Sequence, residues 1–208
     1  VATIEKKGQE TAGVLAKAIV DIISKFPWPK SQRWGGGSLR WVRPLQSIIC
    51  LFDGRVVPFE VGGVQSGNTT QGHRFMAPDS LEVKSFADYA AKLQNAYVMP
   101  DPGERRDLIH AKAVELAESK GLELVEDQAL LNEVAGLVEW PVPILGKFDE
   151  AFMEVPEEAL VSELKHHQKY FALHDPKTKK LAPYFICTAN IEGDEDLIRA
   201  GNERVLGA

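Results

Sequence analysis

The sequence predicts an α+β fold: a mostly antiparallel sheet with flanking helices, preceded by an N-terminal helix. Two observations predict it. Short β-rich runs come in adjacent pairs around turn signals, which favours antiparallel pairing. Helical periodicities are interspersed among those pairs rather than alternating regularly with single strands, as a parallel sheet would require.

Taken in order, Leu15, Ala18, Ile19, Ile22, Ile23 and Phe26 keep helical spacing, so a helix is expected from about residue 5 to 25. Pro27 and Pro29 end it, and Gly35-Gly36-Gly37 supplies a flexible joint. The predicted boundary falls there: residues 1–34 form the N-terminal helix and a proline-rich connector, and 35–208 the α+β domain. Gln46 to Phe52 and Arg55 to Val61 read as strands joined at Asp53-Gly54, a type I′ hairpin pair. Ser66 to Gly72 is a polar loop leading to His73. Asp101-Pro102-Gly103-Glu104 combines a capping side chain, Pro at the first helical position and Glu three residues after the cap, opening a helix expected to reach Gly121. The next helix carries Leu130, Leu131, Val134, Leu137 and Val138 on one face, and Pro141 and Pro143 then suggest an edge strand. Pro156-Glu157-Glu158 opens a short helix. Lys169 to Leu173 and Leu181 to Ala189 form a hairpin around a Lys-rich turn, and a last helix begins near Asp194.

With 44% hydrophobic and 26% charged residues, the chain has the composition of an ordinary globular domain. No apolar run approaches the roughly 18 residues that span a bilayer, and no signal-peptide pattern opens the chain. Cys50 and Cys187 lie in apolar stretches and read as buried thiols, so a cytoplasmic protein without a membrane partner is expected. A net charge of −6 argues against sequence-blind nucleic-acid binding but leaves room for a local basic face. Val1 is not an initiator methionine and Leu206-Gly207-Ala208 ends inside a helical pattern, so a piece of a longer chain is expected.

Polar groups and aromatics crowd into three short blocks, Gly72-His73-Arg74-Phe75, Leu137 to Pro141 and His166 to Phe171, a mixture core packing rarely asks for. His73, Glu139, His166, His167, Gln168 and Asn190 are the candidate polar groups of a cleft. Side chains of the neighbours His166 and His167 diverge, and no Cys or carboxylate spacing completes a metal site, so no metal is expected. His174-Asp175, followed by Pro176, reads as a turn rather than a ligand pair. Neither Ser162 nor Cys187 has a nucleophile setting, and no phosphate cradle ends in Lys-Ser/Thr, so no catalytic residue is assigned.

Two cationic clusters remain. Lys30, Arg33, Arg40 and Arg43 are interleaved with Trp28, Trp34 and Trp41; Lys165, Lys169, Lys177, Lys179 and Lys180 lie near Tyr170 and Phe171. Such mixtures suit an RNA backbone with exposed bases, and equally a packing surface or a solvated hairpin tip. Arg33, Arg40, Arg43, Arg74 and Lys169 are the candidate phosphate contacts.

The same blocks resemble the β subunit of the bacterial heterotetrameric glycyl-tRNA synthetase. The matching stretches are Phe26 to Gly35, Val42-Arg43-Pro44, Gly67 to Phe75, Leu137 to Pro141, Val155-Pro156, His166 to Phe171, Ala189 to Glu192 and Gly201 to Val205. Gln32 departs from the Met usual before the Arg-Trp pair. The resemblance implies a fragment of a multidomain subunit, similar to the B3/B4 editing-type module of phenylalanyl-tRNA synthetase. It also implies as partners the α subunit, the tRNA for glycine and the remaining β-subunit domains. The α subunit is expected to hold the active site with ATP and magnesium, and no cofactor is expected in this fragment. Three roles stay open: a tRNA-binding or organising module without its own active site, a scaffold, or a hydrolytic editing site using Glu139 or His167 to position water. Glycine's small size, which lets a tight pocket exclude larger amino acids, weighs against editing.

Overall fold

A computed structural model describes residues 7–206. The chain forms two compact units, one running to Gly72 and including Asp79–Lys92, the other made of His73–Pro78 and the chain from Leu93 onward.

The first unit opens with α1 (Thr11–Lys25), which begins later than the periodicity suggests; residues 5 and 6 of that expectation lie outside the described residues. Glu10 gives the helix no side-chain cap, and no α1 residue is fully buried. The strands that follow are short: β1 (Ile48–Ile49), β2 (Leu51–Phe52), β3 (Arg55–Val56), β4 (Glu60–Val61), β5 (Val64–Gly67), β6 (Thr69–Gln71) and β7 (Ser80–Glu82). The predicted hairpin forms between β2 and β3, with Asp53 at φ 50° and Gly54 at φ 72°, as a type I′ turn demands. The long strands expected on either side of it do not form. Pro58 has no N–H to give a ladder, and the Ser66 hydroxyl intervenes, accepting from Phe59 N at 2.9 Å and donating to Val57 O at 2.7 Å. β1 instead pairs in parallel with β5, the single parallel pair among the described strands, and β4 pairs antiparallel with β5. β6 and β7 form a separate antiparallel pair. The helix α2 (Phe86–Asn95) follows.

The second unit has a three-layer build. An antiparallel sheet of order β8 (Glu123–Leu124), β10 (Phe171–His174), β11 (Leu181–Ala189), β9 (Val142–Lys147) carries helices on both faces. Alternation decides which residue faces where. Phe171, Leu173 and Ile186 pack with Ile109, Ala113 and Ala117 of α3 (Pro102–Glu118) and with Leu130, Leu131 and Val134 of α4 (Gln128–Leu137). Ala172, Phe185 and Cys187 point the other way, toward Leu164 and Phe148, with Leu160 of α5 (Glu157–Glu163) and Ile198 of α6 (Glu195–Leu206) against them. Phe185 stacks on Tyr170, ring centroids 4.6 Å apart. The cross-strand partner of Phe185 is Gly146, where a Cβ would lie 2.4 Å from the ring, so only glycine fits there.

Local signals place the helices. Asp101 accepts from Gly103 N and Glu104 N with Pro102 at the first position, Asp127 accepts from Leu130 N, and Asp194 accepts from Leu197 N. α3 stops at Glu118, and the turn closing it ends at Gly121 with φ 68°. β9 is the edge strand its prolines suggest. Asp175 accepts from Lys177 N and Thr178 N, both at 2.8 Å, which makes His174-Asp175 part of a turn. Both cysteines are free thiols, Cys187 buried and Cys50 half-buried.

Candidate nucleic-acid interface and polar cluster

In the first unit, Pro27 and Pro29 turn the chain after α1 into an extended connector whose aromatics cluster. Trp28 lies 4.7 Å from Phe26 and 4.8 Å from Trp41, edge-on to the latter. A backbone bridge between Gln32 and Trp41 (N to O 2.7 and 3.2 Å) closes the loop between them. This brings Arg33, Arg40 and Arg43 onto one short two-stranded segment, all exposed. Arg40 donates from Nε to Ser31 Oγ at 3.1 Å, which orients the guanidinium; its terminal nitrogens have no partner among the described residues. None of the three arginines has a carboxylate partner among the described residues, a state they share with exposed Lys30, Arg55, Arg74 and Lys180.

Lys169 is placed differently. A π-helical turn, Leu164–Gln168, extends α5, and Lys169 ends it in the left-handed region at φ 61°. Its Nζ lies 2.8 Å from Glu133 Oε1; Lys165 is likewise tied to Asp127, and Lys179 to Glu123. These cations already have counter-charges. Arg74 is exposed, its guanidinium 5.2 Å from the ring centre of Phe75, itself 70% exposed.

The cleft candidates divide. His73 is the buried one, 1% exposed. Its Nδ1 accepts from Phe75 N (3.3 Å) and Met76 N (3.2 Å), so the ring proton sits on Nε2 and is donated to Asn190 O at 2.7 Å. Asn190 Oδ1 in turn accepts from Glu139 N (2.7 Å) and Trp140 N (3.0 Å). Glu139 Oε1 lies 3.9 Å from His73 Nε2, with 44% of the side chain exposed. Trp140 Nε1 donates to Glu192 Oε1 at 2.8 Å and meets Tyr97 edge-on. Thus His73, Glu139 and Asn190 come together, and Trp140 and Glu192 extend the network. His166 and His167 lie on the π-helical turn, exposed, His167 3.8 Å from Glu163; Gln168 is half-buried at its end.

Sequence reasoning missed Arg105, which donates to the carbonyls of Ala135 (2.8 Å), Pro100 (3.0 Å) and Met99. It also missed Asn202, which accepts from the Tyr170 hydroxyl at 2.6 Å. Asn202 stands in one of the blocks that carry the resemblance, the signal that could have pointed to it.

Burial pushes the Cys187 thiol up to about 11 and the Tyr170 phenol up to about 12, so both stay protonated near neutral pH. Both nitrogens of His73 are engaged, Nδ1 by the Phe75 and Met76 amides and Nε2 by Asn190 O. Among the described residues no group of three or more His, Cys, Asp or Glu is arranged to hold a metal ion, and no helix is long and apolar enough to cross a membrane.

The family model described as glycyl-tRNA synthetase beta subunit matches residues 1–208. The chain belongs to the glycyl-tRNA synthetase beta subunit family. Among curated relatives, the glycine–tRNA ligase beta subunits of Paracoccus denitrificans and Ruegeria sp. are each 50% identical over 213 residues, covering 100% of this chain and 31% of the relative. That of Phenylobacterium zucineum is 49% identical over 210 residues, with the same coverage. This member of the glycyl-tRNA synthetase beta subunit family therefore spans about a third of the length of the relatives it matches.

Proposed function

We propose that this chain is part of the beta subunit of a glycine–tRNA ligase and supports glycyl-tRNA synthesis by contacting tRNA, without an active site of its own. The alpha subunit of the same enzyme supplies ATP-dependent chemistry, and the tRNA for glycine is the shared substrate. One observation carries the tRNA contact: three exposed arginines without carboxylate partners among the described residues, Arg33, Arg40 and Arg43, set beside an aromatic cluster on a chain whose net charge is −6. Unpaired guanidiniums on an acidic protein keep a local positive potential that phosphates neutralise with release of counterions. Lys169, held by Glu133, contributes less to that potential.

The non-catalytic reading rests on the cluster around His73, whose polar groups mostly satisfy one another. His73 and Asn190 hold segments in place there, while the Glu139 carboxylate, 44% exposed, has His73 Nε2 only at 3.9 Å.

Replacing Arg33 and Arg43 by alanine in the intact ligase tests the contact. The expected outcome is weaker tRNA binding, with a slope of log affinity against log salt that falls in magnitude by about 1.4 to 1.8 for two lost phosphate contacts. An unchanged affinity and slope would remove the arginines from the interface.

A further inference from the structure

Between the end of α1, the connector and the β4–β5 turn lies a cavity of about 700 Å³, within the first unit. That size lies in the range of small-ligand sites. Its lining contains Arg40 and Lys25, the latter paired with Asp21 at 2.5 Å, and no Asp or Glu, although acids outnumber Lys and Arg in the chain, 30 to 24. The other polar lining groups are the hydroxyls of Ser24, Ser31 and Ser38.

Two glycine-bearing loops form one wall. Gly37, Ser38, Gly62 and Gly63 carry backbone N–H groups that have no acceptor among the described residues. At Gly62, φ 61° favours glycine and a Cβ would lie 2.6 Å from Leu39 Cδ2, so the two loops approach closely there. All four are exposed loop residues, and solvent-accessible backbone N–H groups beside an arginine can serve an anion. The facing wall is aromatic, Phe26 and Trp28, and Trp28 Nε1 is a shielded donor with no acceptor. An anion cradle across from an aromatic wall matches the two ends of one nucleotide.

We infer that this cavity takes a single unstacked nucleotide of an RNA strand, its base against Trp28 and Phe26 and its phosphate at Arg40 and the Gly37–Ser38 and Gly62–Gly63 loops. The inference rests on the proposed tRNA contact and adds to it where and how one base is held. A free mononucleotide shares this chemistry but lacks the flanking phosphates that Arg33 and Arg43 would meet, so a strand binds more tightly.

The test uses the intact ligase. Transcripts of the tRNA for glycine carrying 4-thiouridine, one position at a time, are irradiated on the enzyme and the cross-linked tryptic peptides mapped. Cross-links are expected on the peptide of residues 26–30, which contains Trp28, and on that of residues 34–40. Ser38→Glu, an exposed change that places a carboxylate in the cavity, should abolish those cross-links and weaken tRNA binding about tenfold. A uridine mononucleotide at millimolar concentration should reduce the same cross-links, whereas inorganic phosphate should do so only weakly.

Absence of cross-links on both peptides in the unaltered enzyme would overturn the inference, as would Ser38→Glu binding tRNA like the parent. If Arg33→Ala with Arg43→Ala still lowers affinity in either case, the tRNA contact stands and only the nucleotide pocket falls. If that pair also has no effect, both fall.

Discussion

At the scale of single residues, the chain separates groups that are spent on its own structure from groups that are left over. Asn190 is spent: its carboxamide oxygen serves two backbone N–H groups, and its carbonyl receives the His73 proton. Asn190→Ala strips both amides of their acceptor and should cost about 1–3 kcal/mol in urea unfolding of the chain. Asn190→Asp keeps the acceptor and should recover most of that loss. Asp127 is spent as well. Burial pushes its carboxyl up, but Lys165 and the Leu130 N–H outweigh that and hold it below the usual carboxylate range. A depressed folded value means its stabilisation is present above the unfolded value of about 3.9 and is lost as pH falls through the folded one. Asp127→Asn should therefore flatten the acid limb of a stability–pH profile below about pH 4, and an unchanged limb would refute the assignment. Arg33, Arg40 and Arg43 are left over, which is why they carry the functional reading.

At the scale of elements, what the sequence made legible is what local chemistry decides. Asp53-Gly54 specifies its turn and Asp101-Pro102 its helix start, because cap and turn geometry depend on neighbouring residues alone. The parallel pairing of β1 with β5 was not legible, nor was the Ser66 hydroxyl standing in for a ladder, since each depends on a partner the local pattern does not name. The candidate site shows the same division. The sequence reading grouped His73, Glu139 and Asn190 with His166, His167 and Gln168 as one cleft; the fold joins the first three and leaves His166 and His167 on the exposed π-helical turn. Lys169 read as a free cation because its partner, Glu133, sits on another helix. The close pairing of β9 with β11 gives an element-scale prediction. Gly146→Ala drives a methyl into the Phe185 ring and should destabilise the chain by about 1–3 kcal/mol, read as a lower urea midpoint with an unchanged slope.

At the scale of the whole molecule, an acidic α+β chain of the glycyl-tRNA synthetase beta subunit family sets three exposed arginines, without a carboxylate partner among the described residues, beside one aromatic cluster. Elsewhere the chain builds a doubly covered sheet in the second unit and a buried histidine network that fixes its loops. The most direct test of the central claim is a structure of the complete ligase with the tRNA for glycine bound. The account predicts RNA phosphates within hydrogen-bonding distance of at least two of Arg33, Arg40 and Arg43. Those arginines facing open solvent, or covered by protein with the RNA elsewhere, would contradict it.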